Sequence, residues 1–413
     1  MKMGEEGRRV RLGIVGLGGR GMGQTNTLLQ MKDVDVSAVC DVYEDRVAAG
    51  QKLVYENRGY TPAAESDYVK LIERDDVEAV LVFSSWETHI DISVCAMLAG
   101  KRVATEVGGA NSIDDCWRLV RTFEKTGVEC MMLENCCYGL EEMTLLNMVR
   151  QGIFGELVHC EGGYRHDLRD EIGLGDINRH YRQRHFLHRN GELYPTHELG
   201  PIAQYLNINR GNRMVSLVSM SSKAAGLHEW FREHRADTPL ADARVNQGDI
   251  VTTLIKCANG ETVTLTHDCT LPRPYSRGGL IQGTKGIWME DNRSIYIEGM
   301  SPPDGKHWTH RWECDQKYME EFKHPLWREY EEFGLRGGHG GMDYLALRGF
   351  IQSVQNGTVP PIDTYDTAAW MAITALSEES VAMGSLPVPV PDFTGGRWLK
   401  ARKEKCTDEY ALN

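Results

Sequence analysis

The sequence predicts an α/β protein with two domains, in which a doubly wound parallel sheet is followed by an α+β domain with an open, largely antiparallel sheet. Three observations support this: strand-like runs alternate with helix-like ones early in the chain, a glycine-rich turn follows the first strand, and long alternating runs come later. A chain of 413 residues is too long for one small core. We therefore predict one domain over residues 1–150 and another over 151–413, whose late helices partly return to the first.

The first strand and its turn lie in Val10–Gly23, which reads VRLGIVGLGGRGMG. Gly16, Gly18 and Gly21 have G-x-G-x-x-G spacing. The first glycine permits a tight turn, the second lets the backbone approach a pyrophosphate, and the third lets the helix pack close to the strand. The phosphates would lie at the helix N-terminus, where N–H groups and the helix dipole favour negative charge. This stretch predicts a Rossmann dinucleotide-binding domain.

An acidic residue ends the second predicted strand, Val36–Val42. Asp41 lies twenty residues beyond Gly21, where a carboxylate can accept hydrogen bonds from the ribose hydroxyls of an adenosine. The same carboxylate would repel a 2′-phosphate. The sequence therefore predicts NAD as the cofactor rather than NADP.

The elements that follow alternate at the spacing of a parallel sheet. We predict strands at Ala79–Ser84, Arg102–Thr105 and Glu129–Leu133. Helices are predicted at Asp45–Asn57, Ile90–Ala99 and Ile113–Lys125, and an amphipathic segment at Tyr68–Glu73. Polar or glycine-rich loops follow three of these strands, at Ser84–His89, Glu106–Gly109 and Glu134–Asn135. Ligands bind outside the carboxyl ends of parallel strands, so these loops are either cofactor contacts or ordinary connections.

Later runs alternate with the period of a strand, at Met214–Met220, Ile250–Cys257, Thr262–His267 and Gly286–Ile297, and Asn259–Gly260 is typical of a hairpin turn. They predict an open antiparallel sheet with one face on helices, and we expect the other face to form a homo-oligomer interface. Helices are predicted at Met342–Val354 and Thr367–Met383.

Composition excludes several classes of protein. The net charge of −13 disfavours nucleic-acid binding, which needs a basic face. The 11 cysteines show no C-x-x-C spacing, so they are expected to be free thiols rather than zinc ligands or disulfides. No leader-like or membrane-spanning apolar run is present, and we expect a cytoplasmic protein that does not bind membranes.

Six of the 14 histidines lie between Val158 and Gly200. Their spacing matches no helical zinc motif and their neighbours include arginines, which repel a cation, so we predict no metal. Arginine and tyrosine in this segment instead suit a neutral or anionic polyhydroxylated ligand.

One of these histidines, His197, follows Thr196 and precedes the helix-like run Leu199–Leu206. If Thr196 is the N-cap, His197 lies in the first helical turn, where the dipole favours the neutral imidazole. A neutral histidine is a competent base at pH 7. The alternative is a histidine that only caps or packs beneath the loop.

Several motifs together resemble glycoside hydrolase family 109, within the Gfo/Idh/MocA oxidoreductase superfamily: GLGGRG, WETH, TEV, MLENCCY, GGYRHDLR, RNGELYPTH, LTHDCTLPRPYS and GHGGMD. The likeness runs from about residue 10 to 395. It implies an NAD-dependent glycosidase, similar to α-N-acetylgalactosaminidases, that acts on a small glycoside.

The resemblance also implies roles for individual residues. Cofactor contacts are implied, together with the three glycines above, at Gly19, Arg20, Asp41, Trp86, His89, Glu106, Val107 and Asn135. Sugar contacts are implied at Tyr164, Arg182, Tyr194, His197 and Tyr275. Val107 stands where the superfamily usually has a catalytic lysine. We therefore expect His197 to be the base and Tyr164 its proton-shuttling or orienting partner.

The mechanism that the resemblance implies has no net redox change: the sugar C3 is oxidised transiently, C2 is deprotonated, the anomeric group is eliminated, water adds and C3 is reduced again. Two alternatives remain, a net NAD-dependent sugar or inositol dehydrogenase and a non-catalytic NAD-binding sensor. Glu198 stands where the family usually has glycine. It is expected to reposition or acidify the site, or to reject an acetamido group.

Overall fold

The computed structural model describes residues 7–305, 309–400, 406 and 409–412. The described residues divide into two compact units. The first is drawn from Met1–Met143, His324–Ala369 and Ala401–Asn413, and the second from Thr144–Lys323 and Trp370–Lys400. The domain boundary between residues 150 and 151 stays a prediction, since these units are defined by contacts alone.

The first unit contains a parallel sheet, as the sequence predicts. Its strands, within the described residues, are β1 Val10–Val15, β2 Val34–Cys40, β3 Ala63–Glu65, β4 Ala79–Val82, β5 Arg102–Thr105 and β6 Cys130–Met132. They lie in the order β3-β2-β1-β4-β5-β6, and every pairing is parallel. The strand order reverses beside β1, which puts the turn after β1 at the switch point where doubly wound sheets bind ligands.

Helices connect these strands: α1 Gly19–Leu28, α2 Glu44–Arg58, α3 Tyr68–Ile72, α4 His89–Leu98 and α5 Ile113–Thr126. Helix α5 begins after Ser112, whose hydroxyl accepts a hydrogen bond from Asp115 N at 3.1 Å, and ends at Gly127, whose φ of 70° suits glycine. The predicted bounds of α2 to α5 differ from the observed ones by at most one residue at each end.

The second unit contains a mixed, mostly antiparallel sheet. Its described strands are β7 Leu157–Arg165, β8 Met214–Ser221, β9 Ile250–Cys257, β10 Thr262–Asp268, β11 Leu280–Gly283, β12 Gly286–Met289, β13 Ser294–Ile297, β14 Glu313–Cys314 and β15 Val388–Pro389. Among them only the central pair β7 and β10 is parallel. The single strand predicted over Gly286–Ile297 is wrong, because this stretch turns after Met289 and forms a hairpin.

One face of this sheet carries Tyr164, a predicted site residue. Cys160, Gly162 and Tyr164 alternate along β7 on that face, and His267 pairs with Tyr164 on β10. The opposite face is partly exposed, with Met220 and Leu254 among its accessible side chains. Association of two copies through that face stays a prediction.

The remaining described helices are α6 Leu140–Arg150, α7 Arg169–Gly173, α8 Gly175–Asn178, α9 Arg182–His188, α10 Thr196–Tyr205, α11 Gly226–His234, α12 Gln316–Glu321, α13 Pro325–Phe333, α14 Met342–Asn356 and α15 Thr364–Ala382. All eleven cysteines lie in described positions and are free thiols. Within the described residues, the helices are too short or too polar to cross a lipid bilayer.

Candidate active site

The turn after β1 has the geometry that its glycines predict. Gly16 has a φ of +97°, and a Cβ there would lie 2.5 Å from the Phe83 carbonyl carbon and from Ser84 N. A Cβ on Gly21 would lie 2.0 Å from the Gly16 carbonyl oxygen. Both contacts are far inside van der Waals distance, so the turn and the close packing of α1 require glycine at both positions.

The helix after this turn fits a dinucleotide phosphate. Helix α1 follows the N-cap Gly18, which offers no side-chain cap, and its first turn carries no acidic residue. A Cβ on Gly19 would meet nothing within 4 Å, so the approach to the helix N-terminus is open. The Arg46 guanidinium adds positive charge, since its Nη1 would lie 3.6 Å from a Cβ on Gly18. This terminus therefore suits the two phosphates of NAD.

Asp41 is buried beside this turn. Its Oδ2 accepts a hydrogen bond from Leu17 N at 2.7 Å, and its Oδ1 accepts one from Tyr43 N at 3.0 Å. Each carboxylate oxygen keeps a further lone pair for a ribose hydroxyl. The side chain thus holds the turn in shape as well as offering the predicted ribose contact.

Arg20, a predicted cofactor contact, lies in an ion-pair cluster within the first unit. Its Nε donates to Glu106 Oε1 at 2.8 Å, and its two terminal nitrogens donate to the Asp343 carboxylate, each at 2.8 Å. Asn135 Nδ2 also donates to Asp343 Oδ1 at 2.8 Å. Three predicted cofactor residues are therefore linked to Asp343, which the sequence analysis did not identify.

His339 completes the cluster, with its Nδ1 at 2.8 Å from Asp343 Oδ2. Burial raises the pKa of Asp343, but hydrogen bonds from His339 and Arg20 outweigh it and hold that pKa well below its usual range. Asp343 is therefore ionised at neutral pH and neutralises much of the Arg20 charge.

The other predicted cofactor residues of the first unit are buried: Trp86, His89 and Val107. Trp86 packs on Gly108, where a Cβ would lie 2.5 Å from its Cδ1. His89 Nε2 lies 3.0 Å from the Ser84 carbonyl oxygen, and burial lowers its pKa, so the ring is neutral. Within the described residues His89 Nδ1 has no hydrogen-bond partner, a buried polar atom of the kind that a ligand satisfies.

Three predicted sugar-binding residues of the second unit form an aromatic cluster. The ring centre of Tyr164 lies 4.5 Å from that of Tyr194 and 5.3 Å from that of His197, and the Tyr194 and His197 centres are 4.8 Å apart. The contacts to His197 are edge-on, a favourable arrangement for aromatic rings. The strand β7 and the helix α10 thus bring the proposed base and its partner together.

Arg182, on α9, supplies the positive charge of this cluster. Its guanidinium carbon lies 5.2 Å from the ring centre of Tyr194 and 5.9 Å from that of Tyr164. The guanidinium also forms an ion pair with Glu171. Burial raises the pKa of Glu171, but the charges of Arg182 and His180 outweigh this and lower it overall, so Glu171 is ionised.

Tyr275 and His166 extend the cluster. The Tyr275 ring centre lies 6.3 Å from that of Tyr164 and 5.0 Å from that of His166. His166 Nδ1 lies 3.1 Å from the Tyr164 phenol oxygen. Burial, and then the Arg182 charge, lower the pKa of His166, which is therefore neutral at pH 7 and suited to exchanging a proton with the phenol.

The cap of the His197 helix differs from the prediction. Pro195 is the N-cap and Thr196 is the first helical residue, so the predicted Thr196 cap is wrong. Proline lacks an N–H and has a fixed φ, which suits it to a helix start. His197 still lies in the first turn of α10, as the sequence predicts.

The sequence analysis missed two buried groups beside the cluster. Glu192 is fully buried, and its Oε1 accepts a hydrogen bond from Tyr194 N at 3.3 Å. His267, next to Tyr164 on β10, is also buried, and burial, then the Arg182 charge, lower its pKa to about 3. Both lie inside motifs that carry the family resemblance, RNGELYPTH and LTHDCTLPRPYS, but only the fold shows that they support the aromatic residues.

Comparisons with known proteins match the two parts of the chain to two different family profiles. The chain matches the family profile "Glycosyl hydrolase 109, C-terminal domain" over residues 138–400 and the profile "Oxidoreductase family, NAD-binding Rossmann fold" over residues 10–134. It is 40% identical over 421 residues to an alpha-N-acetylgalactosaminidase of Tannerella forsythia, covering 96% of this chain and 88% of the relative. It is also 40% identical over 424 residues to a glycosyl hydrolase family 109 protein of Stenotrophomonas maltophilia, covering 96% and 91%.

Solved structures with little sequence similarity share the fold. A levoglucosan dehydrogenase in complex with NADH and levoglucosan aligns with a TM-score of 0.67 at 17% identity, covering 93% of this chain and 100% of that one. A scyllo-inositol dehydrogenase from Lactobacillus casei aligns with a TM-score of 0.64 at 13% identity, covering 93% and 99%. Because the profiles and relatives span nearly the whole chain, it belongs to glycosyl hydrolase family 109 and is a glycoside hydrolase with NAD as its cofactor.

Proposed function

We propose that this enzyme is an α-N-acetylgalactosaminidase-like glycosidase that cleaves its substrate by oxidation and elimination, without net redox change. The observation that carries the proposal is the contact of Tyr164 with both His197 and His166. A glycosidase that uses direct displacement needs two carboxyl groups facing the scissile bond. Phenol, imidazole and guanidinium groups instead suit the removal and return of protons next to a ketone.

NAD, when bound, supplies the reversible two-electron oxidation at C3 of the sugar. His197 accepts the proton of the C3 hydroxyl, since histidine is the side chain that most often acts as a general base and this one lies beside Tyr164. Tyr164 takes the C2 proton as it passes its phenol proton to His166. The bond from C1 to the aglycone oxygen then breaks, and the proton that this oxygen takes up is replaced by the one that water gives up when it adds at C1. The C2 proton returns, and C3 is reduced again as His197 gives back the proton of the C3 hydroxyl.

Arg182 supports the proposal through its charge. Removal of the C2 proton next to a ketone produces an enolate, whose negative charge a nearby, partly dehydrated guanidinium stabilises. The ion pair with Glu171 holds the Arg182 guanidinium in place. The two residues thus maintain a fixed electrostatic environment beside the two tyrosine rings.

A panel of nitrophenyl α- and β-glycosides, assayed without added cofactor, tests the proposal. We expect nitrophenol release from the α-N-acetylgalactosaminide with no NADH accumulating. When NAD is then supplied in excess, accumulation of NADH in proportion to oxidised sugar would indicate the alternative, a net dehydrogenase. No turnover of any sugar, with NAD bound, would indicate the sensor.

A further inference from the structure

Glu198 follows the proposed base on α10 but lies on a different side of the helix. Its side chain is 6% exposed and takes the space that a side chain on Gly162 would need, since a Cβ there would lie 1.6 Å from Glu198 Cγ. Gly162 and Tyr164 share one face of β7. Helix α10 therefore crosses this face with His197 beside Tyr164 and with Glu198 above Gly162.

The Glu198 carboxylate forms an ion pair with the loop between β10 and β11. Its Oε2 lies 3.7 Å from Arg277 Nε, and the Arg277 side chain is only 12% exposed. Burial raises the pKa of the Cys160 thiol, and the Glu198 charge raises it further because the carboxylate lies close to β7. A buried charge is strongly unfavourable without a partner, so Glu198 and Arg277 restrain each other.

Arg277 also contacts Tyr275, a proposed sugar-binding residue. Its Nη1 donates to the Tyr275 phenol oxygen at 3.4 Å, and its guanidinium carbon lies 6.0 Å from the ring centre. The Tyr275 side chain is 46% exposed, so packing alone holds it weakly. Arg277 therefore connects the helix that carries the base to an accessible aromatic side chain.

We propose that Glu198, acting through Arg277, is a positioning residue that sets the orientation of Tyr275 and with it the affinity for the sugar ring. This inference rests on the proposed function for its substrate. Of the three expectations for Glu198, it develops repositioning of the site rather than acidification of the site or direct rejection of an acetamido group, because the side chain lies against Gly162 and Arg277. Its effect is expected in KM, while the chemistry of His197 and Tyr164 is unchanged.

A double-mutant cycle tests the link, with Glu198→Gln, Arg277→Gln and the double variant. Glutamine keeps the shape above Gly162 and removes the charge. Each single variant should raise KM for the nitrophenyl glycoside up to about tenfold, which is the usual effect of losing one hydrogen bond to the substrate. The kcat of each variant should stay within about twofold of the wild-type value. The double variant should be no worse than either single variant. The matched control is Glu298→Gln, which changes an exposed glutamate of the same unit.

A second readout does not need turnover. With fluorotyrosine at position 275, the ¹⁹F resonance should shift in Glu198→Gln and Arg277→Gln but not in Glu298→Gln. Arg277→Lys, which keeps the charge, should give a smaller shift and serves as a second variant if Glu198→Gln does not fold. An unchanged ¹⁹F resonance, or additive effects on KM, would overturn the inference. A wild-type enzyme that cleaves no glycoside would contradict the proposed function instead, and the resonance would still decide the positioning role.

Discussion

The guanidinium of Arg20 forms a two-point ion pair with Asp343, with both nitrogen–oxygen distances at 2.8 Å. The two residues are 323 positions apart in the sequence. Arg20 lies in the first turn of α1 and Asp343 in the first turn of α14, so the pair fastens a late helix of the first unit to the helix N-terminus that suits the NAD phosphates. Because Arg20 is also paired with Glu106, we infer that it shapes the turn more than it neutralises phosphate charge.

Asp343→Asn should therefore reduce both stability and NAD retention. Loss of one partner of a buried ion pair typically costs about 3–5 kcal/mol, and the remaining Arg20–Glu106 pair should keep the loss at the lower end. The measurements are the melting temperature and the NAD released by denaturation after gel filtration. Asp75→Asn, a change at an exposed position of the same unit, is the control. Wild-type NAD content in Asp343→Asn would show that the pair does not support the cofactor site.

Asp41→Ala tests the predicted choice of NAD. Loss of its ribose contact should weaken NAD binding by about 1–3 kcal/mol, the usual cost of leaving buried polar groups unpaired. Because Asp41 also accepts hydrogen bonds from Leu17 and Tyr43, Asp41→Asn is needed beside it, since asparagine can still accept one of them. NAD and NADP affinities measured by calorimetry should show a larger loss for NAD. Equal losses for both nucleotides would mean that Asp41 acts only through the turn.

His197→Ala should abolish most turnover while NAD stays bound. Removal of a general base typically lowers the rate by about 10²–10⁴. Tyr164→Phe keeps the ring contacts with Tyr194 and His197 but removes the phenol hydroxyl. It should therefore lower kcat and change the melting temperature less than His197→Ala does. Single-turnover assays on both variants, with bound NAD quantified, check this. Near-normal activity in His197→Ala would transfer the role of base to Tyr164.

Glu192 should make the protein less stable as the pH rises. Burial raises its pKa to about 8, with the Tyr194 N–H hydrogen bond opposing the shift. Since the folded pKa lies above the unfolded value of about 4.3, its contribution to stability is fully present below that value and is lost as pH rises through about 8. Glu192→Gln should therefore show a smaller fall in melting temperature between pH 6 and pH 9 than the wild type, and Glu298→Gln should not. An identical fall in all three proteins would rule out a neutral buried Glu192.

The elements that the sequence predicts best are those whose signal is local. The strand, the glycines and Asp41 lie within one short stretch, and each has a steric or hydrogen-bonding reason that does not depend on the rest of the chain. The alternating runs of β8, β9 and β10 are equally local, because the side chains of a half-buried strand alternate between its two faces.

The features that the sequence does not predict depend on distant partners. Asp343 ends the GHGGMD motif, to which the sequence analysis assigns no role, and its role emerges only when α14 reaches Arg20. The sequence does not predict where the Glu198 side chain lies, because its position against β7 depends on the absence of a side chain at Gly162. The predicted Thr196 cap is wrong for a local reason, since Pro195, one residue earlier, already has helical φ and ψ.

Deuterium at C2 of the released sugar is the most direct test of the proposed mechanism. If C3 is oxidised first, the C2 proton becomes acidic and leaves before the anomeric bond breaks, so the reaction in heavy water should place deuterium at C2. Direct displacement at C1 never breaks the C2–H bond. The measurement is mass spectrometry and NMR of the product sugar, with unreacted glycoside as the internal control. We predict deuterium at C2 of the product, and a product that carries only protium at C2 would contradict the mechanism.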